Sequence, residues 1–225
     1  MKIKFLLLFA MTFSSVAFAQ TDDEDEKRVY DYSKTKHELA VDVRPIFSGN
    51  FNPSLFYRKN YTGPKGNNMG FRLDMSFNNT FNENLSYFQN FTYNKVNNLD
   101  YGLRIGFEKQ KFINEKFIAY GGLDLILGFS NMRFRERNDL PFENTAFANV
   151  DNFRLGLGNF WGVKYHLNSR LSVSAETGFD VIHFKRVTKT AESTDNFSEV
   201  NRQDGLSSIS LNLIPLKALR IAYHF

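Results

Sequence analysis

The chain has no cysteine, one tryptophan, four histidines and five prolines in 225 residues. Without cysteine there is no disulfide, no thiolate metal site and no cysteine nucleophile. Beyond the N-terminus there is no apolar run of about 18 residues, which excludes a later transmembrane helix. Net charge is small too. The formal net charge of +4 includes Lys2 and Lys4, and +2 remains without them. Despite a pI near 9.1, that gives no electrostatic case for nucleic acid as a partner. The His, Asp and Glu residues show no metal-ligand spacing, and no cofactor is expected.

Aromatic residues are plentiful, with 25 Phe and 10 Tyr, while mean hydropathy is only −0.38. Strands whose apolar faces alternate with polar ones produce that combination, and hydropathy averaging hides them. Residues 1–19 read as a signal peptide. Lys2 and Lys4 form a basic start, Phe5 to Val16 is apolar, and Ala17-Phe18-Ala19 precedes a cleavage expected before Gln20. Residues 20–36 are expected to be an acidic disordered leader around Thr21–Arg28 (TDDEDEKR).

From His37 to Phe225 the dominant period is two. Leu39, Val41 and Val43 begin it, with the first strand expected over His37–Phe47. Segments centred on Leu55–Tyr57, Met69–Phe77, Tyr101–Phe107, Leu123–Phe129, Phe153–Tyr165, Leu171–Val181 and Ile209–Phe225 follow. These predict one domain, residues 37–225, built as an all-β antiparallel barrel of eight strands, with ten as the alternative. Pro45 and Pro215 interrupt two segments, since proline cannot donate to a ladder. For Ile214–Leu219 a bulge in one long final strand is favoured over an extra turn, because it keeps the count even. Connections alternate in length, except that the first outer link, Ser48–Pro53, is short. Thr62–Asn68, Phe112–Glu115 and Leu167–Arg170 are short; 80–100, 134–152 and 188–205 are long and expected as extracellular loops.

A soluble barrel would also show period two, with apolar residues inward; a membrane barrel inverts this. The Leu/Val/Phe face is nearly free of charge. The opposite face carries Asp42, Arg44, Arg58, Arg72, Asp74, Arg104, Glu108, Asp124, Arg154, Lys164, Glu176, Asp180 and Arg220, seven positive and six negative. These thirteen are expected to form an ion network plugging the lumen, each sign offsetting the other's burial. Tyr101, Trp161 and Tyr165 fall near expected strand ends, where interfacial aromatics belong.

The closing residues Leu219–Phe225 (LRIAYHF) resemble the last strand of bacterial outer-membrane proteins, which ends in an aromatic residue. Leu39–Arg58 (LAVDVRPIFSGNFNPSLFYR) resembles the opening of small Bacteroidota-type barrels of the OmpA/OmpX-like kind. The resemblance implies a multi-pass outer-membrane protein in contact with lipid and lipopolysaccharide. It also implies that Tyr223 and Phe225 are read by the barrel-assembly machinery. It implies no activity. The expected role is structural or interactive, through loops such as 80–100, which holds Phe81, Tyr87, Phe88, Phe91 and Tyr93 and which a partner protein of the envelope would meet. A narrow low-conductance channel is the alternative. A lipid-modifying enzyme is a weaker one, because only His183 reaches the outer half and no serine is expected beside it.

Overall fold

The computed structural model describes residues 31–225 except 33, 49–53, 64–65, 87–91, 139–143, 195–196 and 204. Nine strands and one short helix follow in order: β1 (His37–Asp42), α1 (Arg44–Ser48), β2 (Ser54–Thr62), β3 (Asn68–Ser86), β4 (Thr92–Phe112), β5 (Phe117–Asn138), β6 (Asn144–His166), β7 (Leu171–Thr194), β8 (Phe197–Gln203) and β9 (Ser207–His224). Each pairs antiparallel with its neighbours, and β1 pairs with both β2 and β9, so the sheet closes on itself. β8 continues along β7 where β9 stops, Thr188↔Gln203 following Lys185↔Ser207, so the two share the eighth place. The architecture is therefore an eight-stranded antiparallel barrel. Both ends of the ring sit together: Glu38 faces His224, and His37 and Phe225 exchange backbone hydrogen bonds at 3.0 and 2.9 Å.

Two proline positions resolve differently. Pro45 is not in a strand, because β1 ends at Asp42. Asp42 Oδ1 accepts the Arg44 N–H at 3.0 Å and caps α1, in whose first turn the missing N–H of Pro45 costs nothing. The expected strand over His37–Phe47 is thus shortened to six residues. Pro215 lies within the continuous β9, at a bulge where Glu176↔Ala218 is followed by Gly178↔Ile214. Thr177 Oγ1 donates to the Ile214 carbonyl at 3.1 Å across the irregularity.

The segments 80–100, 134–152 and 188–205 are not irregular loops. Most of each is strand, paired from Thr80↔Asn98 to Ser86↔Thr92, from Phe134↔Ala148 to Asn138↔Asn144, and from Thr188↔Gln203 to Thr194↔Phe197. Asparagine-rich sequence lowers strand propensity, but a ladder already started below extends over it. The aromatic residues Tyr87, Phe88 and Phe91 lie outside the described residues. β1 and β2 stop well short of this height, at Asp42 and Ser54. Among the described residues, β3 beyond Ser76 and β9 on the Ser207 side of Leu219 each have one ladder neighbour.

The side-chain distribution is inverted relative to a water-soluble protein. Leu125, Leu157 and Ile221 are 42%, 63% and 47% exposed, while Arg58, Arg72 and Lys164 are completely buried. Greasy residues face outward and ionic ones fill the ring.

Candidate functional site

The interior is built by a rule visible in the cross-strand rows. Gly70, Glu108, Gly122, Phe160 and Gly178 stand in register across β3 to β7; one row above, Gly106, Asp124, Gly158 and Asp180 alternate in the same way. A Cβ at Gly122 would run into the Phe107 carbonyl oxygen and meet Phe160 Cζ at 2.8 Å. Small residues thus leave room for large neighbours to reach the barrel axis, which an eight-stranded ring needs in order to fill.

At mid-height three guanidinium groups converge on one ring. Arg58, Arg72 and Arg220 lie 4.8, 5.0 and 4.1 Å from the centroid of Phe56; Arg72 also lies 3.7 Å from that of Phe160. Their counter-charges are Glu38, Glu108, Asp124 and Glu176. Arg58 donates to Glu38 at 2.8 Å, and Arg72 to Glu176 at 2.9 and 3.0 Å. Arg58 Nε–Glu108 Oε1 (2.9 Å) and Arg220 Nη1–Glu176 Oε1 (2.6 Å) are close ion pairs off the in-line hydrogen-bond direction. Tyr120 completes the Glu176 shell at 3.1 Å. Further out, Lys217 bridges Asp124 at 3.5 Å and Asp180 at 3.2 Å, Arg104 takes Asp180 at 2.7 Å, and Arg220 takes Asp74 at 2.7 Å. Arg154 pairs with Asp100 beside a cavity of about 150 Å³ that Asp74, Arg104, Ile126 and Ile182 also line. Such mutual pairing is what makes buried charge tolerable.

All thirteen charged residues read from the strand alternation therefore have places, though not equal ones. Arg44 sits on α1 rather than a strand, pairing with Asp42 at 2.6 Å and donating to the Leu216 carbonyl at 2.9 Å at the rim. Three partners escaped the sequence reading. Glu38 shares the parity of Ala40 and Asp42, so period two already pointed it inward. Asp100 shares the parity of Arg104 but lay in a segment expected to be loop. Lys217 has outward parity, and only the bulge turns it in: both Lys217 and Ala218 are buried, while Leu216 is half exposed.

The end of the ring that holds His37 and Phe225 is closed by a second cluster. Ser172 Oγ and His224 Nε2 are 2.8 Å apart, and Glu38 Oε2 lies 4.0 Å from His224 Nδ1. The trio has the composition of a nucleophilic triad but not its geometry. Glu38 is engaged by Arg58 and by Lys164 at 2.5 Å, and Ser172 is wholly buried, leaving no approach for a substrate. Tyr32, from the segment expected to be a disordered leader, covers the cluster. Its hydroxyl is 3.1 Å from His166 Nε2, accepts from Lys164 at 3.1 Å, and its ring stacks on His224. A tyrosine with one apolar face and one polar tip suits a mouth lined by imidazoles and an ammonium.

The outer face carries an aromatic row. Phe77, Tyr101, Phe129 and Phe153 stand in register across β3 to β6, with ring centroids 5.2 Å apart in the first pair and 5.1 Å in the last. Near the other rim Phe117 packs on Tyr165 at 4.7 Å, and His37 stacks between Tyr57 and Phe225. Tyr101 and Tyr165 thus lie in opposite rims. Trp161 does not: it sits two outward positions further in than Tyr165, against Phe179 at 6.2 Å. Tyr223 and Phe225 face outward at the terminal rim. His183 does have a serine beside it: its Nε2 is 2.7 Å from Ser207 Oγ on the neighbouring β9, a proximity across strands that the spacing within one strand cannot reveal. Both residues are exposed. Among the described residues no group of three or more His, Asp or Glu side chains is placed to hold a metal ion. No family model, curated protein or solved structure matches the chain.

Proposed function

We propose that this chain is an integral outer-membrane β-barrel protein of the small Bacteroidota-type kind, exported on a cleaved signal peptide. Its charge-filled lumen makes it a structural or interaction element of the envelope. The inverted side-chain distribution carries this reading. An exposed apolar belt closed by aromatic rims is costly in water and favourable in acyl chains, while the paired ions stay dry at the axis. In this reading Tyr223 and Phe225 present the assembly signal, lipid and lipopolysaccharide surround the belt, and the strand hairpins over 80–100, 134–152 and 188–205 project outside to meet a partner.

Heat-modifiability on a gel tests the barrel. The unboiled protein should migrate apart from the boiled one, and identical migration would count against the proposal. A narrow low-conductance channel is the second reading, favoured by the cavity of about 150 Å³ at the outer end of the lumen. Planar-bilayer recording separates the two. The plugged barrel should carry no steady current, and a small stable conductance would defeat it in favour of the narrow channel. Crosslinking in native membranes would then identify the neighbour that the hairpins touch.

A further inference from the structure

Beyond the aromatic row, the outer face of the hairpins changes character. Two rungs further along stand Asn97, Arg133, Asn149 and Lys189 in register; one rung more brings Lys95, Arg135 and Phe147. All have the outward parity of Tyr101, Phe129 and Phe153. Together they line a groove of about 450 Å³ with four cations. Arg135 lies 5.1 Å from the Phe147 ring, which is 40% exposed, and Arg133 Nε donates to Asn131 Oδ1 at 3.1 Å. Two acids on the same outward face do not pair with them. Asp151 accepts from Asn131 at 2.6 Å, Glu83 stands across from Lys95, and among the described residues no carboxylate forms an ion pair with any of the four. The lumen shows what this chain does with cations that serve the fold: it pairs them. Lys95 lies 4.9 Å from the Phe81 ring, but the counter-charge of all four is left to another molecule.

We infer that the groove of Lys95, Arg133, Arg135 and Lys189 binds anionic sugars, phosphate- or carboxylate-bearing, in the head of an outer-leaflet glycolipid. The inference rests on the membrane-barrel reading above. Height selects the ligand. Outward rungs are about 6.7 Å apart along a strand, so two to three rungs on strands tilted about 40° lie roughly 10–15 Å beyond the aromatic row. Phospholipid headgroups occupy only about 5–8 Å on each side of the hydrocarbon core. The groove is therefore above the plane that a phospholipid phosphate reaches, and level with sugars. Its residue types agree: Phe147 offers a face for a sugar ring, the amide nitrogen of Asn149, whose Oδ1 accepts from Asn131 at 2.6 Å, can donate to a hydroxyl, and the cations take the charge.

The test uses the full mature chain in phosphatidylcholine nanodiscs, with native mass spectrometry counting retained ligand. Four probes are compared: lipopolysaccharide carrying its anionic core sugars, lipid A alone, the free core oligosaccharide, and phosphatidylglycerol. The core-bearing glycolipid should be retained most, and K95Q, R133Q, R135Q and K189Q should each weaken it about fivefold. Equal retention of lipid A alone or phosphatidylglycerol would overturn the assignment to sugars. Free oligosaccharide binding as tightly as the glycolipid would overturn the lipid as its source. Unchanged retention in the fourfold variant would overturn the site. The substitutions lie outside the lumen, and an unchanged heat-modifiable band verifies folding. A wild-type chain that fails to enter nanodiscs overturns the membrane reading, and this inference with it; one that inserts but retains nothing overturns this inference alone.

Discussion

The ring and the hairpins both concentrate cations, and they treat them in opposite ways. Inside, Arg58, Arg72, Lys164, Lys217 and Arg220 are buried and each faces at least one carboxylate within 4 Å. On the hairpins, Lys95, Arg133, Arg135 and Lys189 face outward, with no ion pair among the described residues. The same residue types thus do different work according to solvent. In a dry interior an unpaired charge costs several kcal/mol, so sequence must supply the partner. At a wet surface an unpaired cation costs little, and its counter-charge can come from outside.

Breaking the inner side of that contrast should give the largest effect. Glu176→Gln removes the carboxylate shared by Arg72 and Arg220 and should destabilise the barrel by about 3–5 kcal/mol, read as a lower urea midpoint for loss of the heat-modifiable band. A loss under about 1 kcal/mol would mean that the lumen is wetter than its packing implies. The apolar belt comes next. Leu125→Lys puts a charge at mid-belt and should cost about 2–4 kcal/mol in phospholipid vesicles; no cost there would place that face in water. Tyr101→Ala interrupts the aromatic row and should cost about 0.5–1.5 kcal/mol in the same assay. Least affected should be R135Q, within about 0.5 kcal/mol of the parent, even as glycolipid retention falls. Were R135Q as damaging as Glu176→Gln, the distinction between charges that hold the fold and charges that meet a ligand would collapse.

Period two made much of this legible in advance. It separated belt from lumen, placed Arg72, Asp124 and Glu176 inward, and supported eight strands, because a pleat forces alternation on any residue it contains. Its failures have physical causes. At Lys217 the bulge breaks parity, and the charge turns in where alternation points it out. Asp42 caps α1, so β1 stops early and Pro45 leaves the sheet. The hairpins extend through asparagine-rich sequence because pairing is cooperative, which composition does not register. Tyr32 and the His183–Ser207 contact depend on what stands opposite in space, and neither is periodic.

The ring is joined through its shortest strand. β1 meets β9 over a short stretch, from the His37–Phe225 backbone bonds to that of Val43 with Leu219, whereas β5 and β6 run together from Phe117↔Tyr165 to Asn138↔Asn144. Hairpins join residues that are near in sequence; this junction unites the two extremes of the domain and bears the greatest loop-closure entropy for a short ladder. On that entropy, circularisation is expected to come last in folding, after the long hairpins have paired. A chain halted before Leu219 should keep those hairpins and never become a cylinder.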